Sequence, residues 1–231
     1  MQRLAALLLV VLALVLSLGQ ATQVVHAQDY DEAKSRNNSK LKSEKASERA
    51  EAVEDICMSG DPKAVKLAIS MMKKEDNPFA GQRMGHALRH MKSAEAIAEA
   101  SDEIAKLKGR NDAFAALWAM SGILMGKTEE GDKVVNLILA AEKIEDEFQF
   151  VAALESIAAA KRSDMSRGVE YTLQRKEKDW EKDPLILLTA CSVASRINNS
   201  DNVFKLVLAL ADTLQNYEHE KIQRFAASAC A

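Results

Sequence analysis

The sequence predicts an all-α fold in which pairs of helices stack one after another along the chain. A small residue recurs about every 35 residues, and apolar residues stand at fixed distances from it. No segment alternates apolar and polar residues as a half-buried strand does. Self-similarity at this period is typical of helical hairpins that bury their apolar faces against the next hairpin. We therefore expect an α-solenoid of about five antiparallel helix pairs plus a terminal half-repeat.

The first helix of each pair is identified by an alanine, which we call the anchor. Successive anchors are 32 to 37 residues apart, and they are Ala52, Ala87, Ala119, Ala153, Ala190 and Ala227. Apolar or small residues stand two positions before and four positions after each anchor. At 3.6 residues per turn, these offsets place the apolar or small side chains on one side of a helix. Alanine at the anchor lets neighbouring helices approach closely.

The second helices repeat with the same period. Apolar pairs stand sixteen and twenty residues after the anchors, namely Ala68/Met72, Val135/Leu139, Val169/Leu173 and Leu206/Leu210. In the unit of Ala87 the first residue of the pair is displaced by one position to Ile104, whereas the second, Leu107, stands twenty residues after the anchor as expected. Asp61 and Pro62 are typical of an N-cap and a first helical position, and Asn77-Pro78 and Asp183-Pro184 are similar.

Two families resemble this pattern. The segment Gly60-Asp61-Pro62-Lys63-Ala64-Val65 and the later Lys74-Glu75-Asp76-Asn77-Pro78 resemble the turn and unit start of HEAT-like repeats, as does Asp183-Pro184 before Leu187, Ala190 and Ala194. This resemblance covers residues 44–231 and implies a right-handed solenoid, although no regular basic residue recurs in the second helices. Trp118, Gly122 and Ala141 fit the tetratricopeptide motif in one unit, so that family is the alternative.

The N-terminal residues 1–27 resemble a secretory signal peptide. Arg3 precedes an apolar run from Leu4 to Leu18, and Val25-His26-Ala27 is typical of a cleavage site. The run is shorter than the roughly 20 residues that span a membrane. We expect cleavage after Ala27, no stable membrane span afterwards, and a periplasmic or extracellular protein. Residues 28–43 are polar and charged, which predicts a flexible lead-in before the repeat domain at 44–231.

Composition argues against several classes of partner and site. The formal net charge is −3, and no segment forms the basic face that nucleic acid requires. The three cysteines, Cys57, Cys191 and Cys230, are expected to be mostly buried thiols, with a Cys191–Cys230 disulfide as the alternative. Asn37-Asn38-Ser39 and Asn198-Asn199-Ser200 match the N-glycosylation sequon, which matters only in a host that glycosylates.

Motifs that suggest chemistry lack the context that the chemistry needs. Ser70-x-x-Lys73 and Ser200-Asp201-Asn202 match two motifs of penicillin-recognising enzymes, but those motifs converge beside a β-sheet. His86 and His90 stand four residues apart on a predicted helix and suggest a shared metal. No glutamate lies between them and no third ligand can be identified, so we expect two surface histidines. We predict no catalytic, cofactor-binding or metal-ligating residue.

The sequence thus predicts an exported, non-enzymatic helical-repeat scaffold that binds a protein or peptide partner. This expectation follows from the extended surface that stacked helices present. The same features leave two alternatives open. The first is an exported helical domain with a metal or catalytic site around His86 and His90, and the second is a structural envelope protein that self-assembles.

Overall fold

The computed structural model describes residues 29–173 and 184–197, which form ten α-helices, two 3₁₀ turns and no strand. The helices are α1 (Tyr30–Leu41), α2 (Ala46–Cys57), α3 (Pro62–Met72), α4 (Pro78–His86), α5 (Ala94–Ala105), α6 (Gly109–Met125), α7 (Glu129–Leu139), α8 (Glu147–Ala159), α9 (Ser166–Leu173) and α10 (Pro184–Ile197), and the 3₁₀ turns are Ala87–His90 and Ser163–Met165. Within the described ranges no helix has the length and apolar character to cross a membrane. Residues 1–27, Leu206/Leu210 and Ala227 lie outside these ranges. The all-α class is confirmed for the part that the structure describes.

Most helices begin where a short polar side chain caps them. The Asp61 carboxylate accepts a hydrogen bond from the Lys63 N–H, and the Asn77 side chain accepts from Phe79 and Ala80. The predicted caps at these two positions are confirmed. Further side-chain caps are made by Asp29, Ser93, Thr128 and Asp146. Because these residues satisfy N–H groups that lack partners in the first turn, they fix where each helix starts.

Helices pack mainly against the helix two positions along the chain. Contacts join α2 to α4, α4 to α6, α6 to α8 and α8 to α10, and a second series joins α3, α5, α7 and α9. The helices α6 and α8 run in the same direction. The Gly109 N–H at the start of α6 donates to Asp146 before α8 at 2.7 Å, and Arg162 after α8 donates to the Leu124 carbonyl near the end of α6 at 2.9 Å. We call α2, α4, α6, α8 and α10 the first helices.

The anchor alanines lie in the core, as the repeat predicts. Those within the described ranges are all 0 % exposed, and they are Ala52, Ala87, Ala119, Ala153 and Ala190. The residues four positions later are at most 3 % exposed, and they are Ile56, Met91, Ile123, Ile157 and Ala194. One anchor departs from the pattern, because Ala87 begins the 3₁₀ turn after α4 rather than lying within an α-helix.

The second helices also bury the predicted pairs. Buried side chains include Ala68/Met72, Val135/Leu139 and Val169/Leu173. Ile104 and Leu107 are buried too, as expected for the unit of Ala87. These pairs join the first-helix side chains in one continuous core.

The flexible lead-in predicted for residues 28–43 is wrong, because helix α1 occupies most of this segment. Asp29 caps α1, and Tyr30, Ala33 and Asn37 bury one face of it. The spacing of these three residues is helical, and two ion pairs hold α1 to α2. They join Arg36 to Asp55 at 2.7 Å and Lys40 to Glu51 at 2.6 Å. The polar composition describes only the outer face of α1, and the packed domain begins near residue 29 rather than 44.

Overpacking an anchor should destabilise the helical core. Ala153→Leu or Ala190→Leu adds three carbons where the alanine side chain is fully buried, and each should lower the free energy of unfolding by about 1–3 kcal/mol. Ala159→Leu is the matched control, because Ala159 is exposed at the end of α8. Urea denaturation of the three variants measures the difference. An unchanged midpoint for both buried variants would contradict the assignment of these alanines as close-packing positions.

Candidate binding surface

Two rows of partly exposed apolar side chains cross three neighbouring first helices. One row lies five residues before the anchor and the other two residues before it. We call these six residues the apolar rows: Phe114, Phe148 and Leu185 in one, and Leu117, Val151 and Leu188 in the other. Phe114 is 66 % exposed and Leu185 40 %, while the other four side chains are half-buried. Since residues three apart are neighbours on a helix surface, the rows lie beside each other on α6, α8 and α10.

The apolar rows end at α6. The equivalent positions on α2 and α4 carry Ser47, Ala50, Gln82 and Gly85, which are polar or small. At these two offsets the first helices therefore differ along the array, with polar or small residues on α2 and α4 and apolar residues on α6, α8 and α10.

Trp118 supports the edge of the apolar rows that faces α4. A Cβ atom placed on Gly81 would stand 2.1 Å from the Trp118 indole, so the ring lies directly against the α4 backbone. Phe114 stacks on the same indole with ring centroids 5.7 Å apart. Such aromatic pairs add about 0.5–1.5 kcal/mol beyond the area that they bury. The exposed Phe114 ring is thus held in place by a neighbour that is itself fixed.

Paired charges lie at the other end of the series of first helices, around α2 and α4. An open groove of about 400 Å³ lies between α1, α2 and α4, and charged side chains form most of its lining. Glu54 accepts hydrogen bonds from Arg83 at 2.9 Å and from Arg89 at 2.7 Å. Burial opposes the ionisation of Glu54, but the two arginines outweigh it and hold the pKa of Glu54 below its usual value. Since these charges neutralise each other, the groove offers little to a charged ligand.

His86 and His90 are less accessible than the two surface histidines that we expected. Both side chains are half-buried, and the Nε2 atom of each is fully buried without a hydrogen-bond partner. His86 ends α4 and His90 ends the following 3₁₀ turn, so the predicted continuous helix breaks between them. In the described part of the chain, no group of three His, Cys, Asp or Glu side chains could hold a metal ion.

The buried thiols match their prediction where the structure describes them. Cys57 and Cys191 are both buried. Burial raises the pKa of the Cys57 thiol to about 12, which keeps it protonated and unreactive near neutral pH. Cys230 lies outside the described residues, and so does the predicted alternative of a disulfide with Cys191.

The sequon at Asn37 is inaccessible to glycosylation in the folded protein. Asn37 is 3 % exposed, and its side-chain amide donates to the Ala33 carbonyl at 2.9 Å and to the Asp55 carboxylate. An amide in these bonds cannot carry a glycan without leaving the α1–α2 interface. The sequon at Asn198 lies outside the described residues.

Residues of the enzyme-like motifs have structural partners or are simply exposed. Ser70 is exposed on α3, and Lys73 pairs with Asp112 at 3.2 Å. The Ser200-Asp201-Asn202 segment lies outside the described residues.

Three of the six residues in the apolar rows could be identified from the sequence. Leu117, Val151 and Leu188 stand two residues before an anchor, at an offset that recurs in every unit, whereas the pattern of the repeat does not include Phe114, Phe148 and Leu185. These three residues could have been found from the sequence, because each stands three residues before the first apolar residue in three consecutive units. Because α2 and α4 lack it, a search for features common to all units does not detect it.

Comparison with known proteins adds no relative. No protein-family model matches the chain. Neither curated proteins nor solved structures give a match. The interpretation of function therefore depends on the chain's own residues and their geometry.

Proposed function

We propose that this chain is an exported, non-enzymatic scaffold that binds a protein or peptide partner in the periplasm or extracellular space. In this proposal the helix pairs form a right-handed α-solenoid, of HEAT-like type or of the tetratricopeptide type as the alternative. The contacts between alternate helices support serial stacking, because each first helix touches the next. Stacked repeats present an extended surface rather than an enclosed pocket.

The observation that carries the proposal is the exposure of the apolar rows. Monomeric proteins seldom leave contiguous apolar patches in water, and such patches mark interaction sites. Phe114 and Leu185 are exposed at the two ends of a surface that spans three helices. Adjacent packed helices lie about 8–10 Å apart, so the apolar rows are roughly 16–20 Å long.

The partner that fits this surface is a segment with a continuous apolar side. In an α-helix, residues seven positions apart share a face and are separated by about 10.5 Å, close to the spacing between the first helices. An amphipathic helix laid across α6, α8 and α10 would bring apolar residues to each in turn. Arg196 on α10 pairs with Glu155 on α8, so this charge pair beside the rows is already neutralised.

Replacing the two exposed residues of the apolar rows should strongly reduce capture of the partner. The chain beginning at Gln28 is immobilised and exposed to the contents of its native compartment, beside a Phe114→Ser/Leu185→Ser variant. Loss of the large apolar contacts should reduce the recovered partner at least about tenfold. Leu137→Ser is the matched control, because Leu137 is 71 % exposed but lies on α7 in the other helix series.

Three outcomes separate the hypotheses. Recovery of the same protein by the wild type and by Leu137→Ser, with loss in the double variant, supports the proposal. Equal recovery by all three chains contradicts it. Self-association of the wild type that the double variant loses, seen by sizing chromatography across concentrations, would instead indicate an assembling envelope protein. Circular dichroism establishes that each variant remains folded.

Export has a separate test. N-terminal sequencing of the protein recovered from its host should begin at Gln28, since cleavage is expected after Ala27. A mature chain that still begins at Met1 and stays in the cytoplasm would contradict export without bearing on the binding surface.

A further inference from the structure

Two buried imidazole nitrogens without partners lie on either side of a break in helix geometry. His86 is the last residue of α4 and His90 the last of the Ala87–His90 turn. The Nε2 atom of each is fully buried and has no hydrogen-bond partner. A buried nitrogen without a partner is destabilising, and a positive charge placed on it would be more so. Such a pair is therefore sensitive to protonation.

The surroundings of the two rings do not favour a positive charge. Burial lowers the pKa of both histidines most, and the neighbouring Arg89 guanidinium lowers it further. Lys92 acts in the same direction on His90, while Glu54 of α2 opposes the shift on both. Glu54 already accepts hydrogen bonds from two arginines.

The other elements against this turn contribute little charge. Cys57 of α2 stays a neutral thiol because burial raises its pKa to about 12. The buried face of α3 is made of apolar residues, namely Ala64, Val65, Ala68, Ile69 and Met72. Two α6 residues close to the turn, Gly122 and Gly126, carry no side chain.

The turn also holds α4 against α6. A Cβ atom on Gly122 would stand 3.1 Å from the Leu88 Cβ, and one on Gly126 would stand 3.2 Å from the Arg89 carbonyl oxygen. The turn touches α2 and α3 as well. Movement of the turn therefore disturbs the α4–α6 interface, which includes Trp118.

We propose that the Ala87–His90 turn is an acid-sensitive hinge, in which protonation of His86 and His90 separates the turn from α6 and loosens the α4–α6 contact. The folded state favours the neutral rings. Their stabilisation is therefore complete above the ordinary histidine pKa of about 6.5 and is lost as the pH falls below it. Because α6 carries Phe114 and Leu117, acid should also weaken partner binding, a consequence that rests on the proposed function.

Hydrogen exchange tests the hinge without any partner. After correction for intrinsic exchange rates, amides in residues 84–92 and 117–124 should exchange at least about tenfold faster at about pH 5.5 than at about pH 7.5. His86→Phe/His90→Phe, which keeps two rings but cannot be protonated, should lose this difference. His86→Gln/His90→Gln serves the same purpose with a smaller side chain should the phenylalanines disrupt packing.

His219→Phe is the control, because it removes an imidazole elsewhere in the chain and should leave the difference intact. Equal exchange at both pH values in the wild type would overturn the hinge, as would an undiminished difference in the double variants. Neither result bears on the apolar rows, whose own test uses Phe114 and Leu185. Loss of the proposed function would likewise leave the exchange result standing.

Discussion

Gly122→Ala is expected to lower the free energy of unfolding by about 3 kcal/mol or more, at the upper end of overpacking effects. A Cβ atom at this position would stand 1.9 Å from the Gly85 carbonyl oxygen and 2.8 Å from the carbonyl carbon. Both are backbone atoms of α4, so no side chain can rotate away. The helices α4 and α6 must separate instead, which also disturbs Trp118 on Gly81. The midpoint of urea denaturation measures the loss.

Gly168→Ala is the matched control for this substitution. Gly168 also lies in a helix, α9, but the nearest atom to an added Cβ is a terminal methyl of Leu139 at 2.7 Å. A rotamer change relieves that contact, and alanine favours a helix over glycine by about 1 kcal/mol. The control should therefore change stability by less than about 1 kcal/mol in either direction. A Gly122→Ala variant as stable as the control would show that α4 and α6 do not pack this closely.

Arg162→Met is expected to destabilise the protein by about 3 kcal/mol, the lower end for breaking a buried ion pair. The Arg162 side chain is 5 % exposed and donates two hydrogen bonds of 2.7 Å to Asp132. It also pairs with Asp164 at 2.7 Å and donates to the Leu124 carbonyl. Asp164 is largely exposed, so most of the loss should come from Asp132 and the carbonyl. Together these bonds hold the turn after α8 to α6 and α7.

Two further variants distinguish the contribution of the Arg162 network to stability from that of a surface ion pair. Arg162→Lys keeps the charge but cannot form the bidentate pair, so it should fall between the wild type and Arg162→Met. Arg196→Met breaks a pair with Glu155 in which the arginine is half-exposed, and it should cost less than about 1 kcal/mol. Equal effects of Arg162→Met and Arg196→Met in chemical denaturation would contradict a special role for Arg162.

The sequence predicts those parts of the fold that depend on local periodicity. The anchors from Ala52 to Ala190, and the caps at Asp61 and Asn77, depend on residues within one or two turns of each other. Helix α1 was missed because its charged outer face dominates its composition, while its buried face consists of only Tyr30, Ala33 and Asn37. The general lesson is that charge content alone does not distinguish a flexible segment from a terminal helix with one buried face.

Features that depend on distant residues were beyond sequence reasoning. Arg162 and Asp132 are thirty residues apart in the chain and belong to no motif. The close approach of Gly85 to Gly122 likewise requires the packing of two helices to be known. The change from α-helix to 3₁₀ turn between His86 and His90 was not predicted by the helical spacing of these residues. The apolar rows needed the exposure of each side chain, which a sequence does not contain.

Distances between first helices test serial stacking most directly. Spin labels are introduced as non-canonical residues at Ser47 on α2 and, in three separate chains, at Phe114, Phe148 or Leu185. These positions are equivalent in the repeat, and adjacent helices are about 8–10 Å apart. Serial stacking predicts separations that rise with each added helix, from roughly 16–20 Å at Phe114 to roughly 32–40 Å at Leu185. A Leu185 label as close to Ser47 as the Phe114 label would contradict serial stacking and indicate a closed bundle.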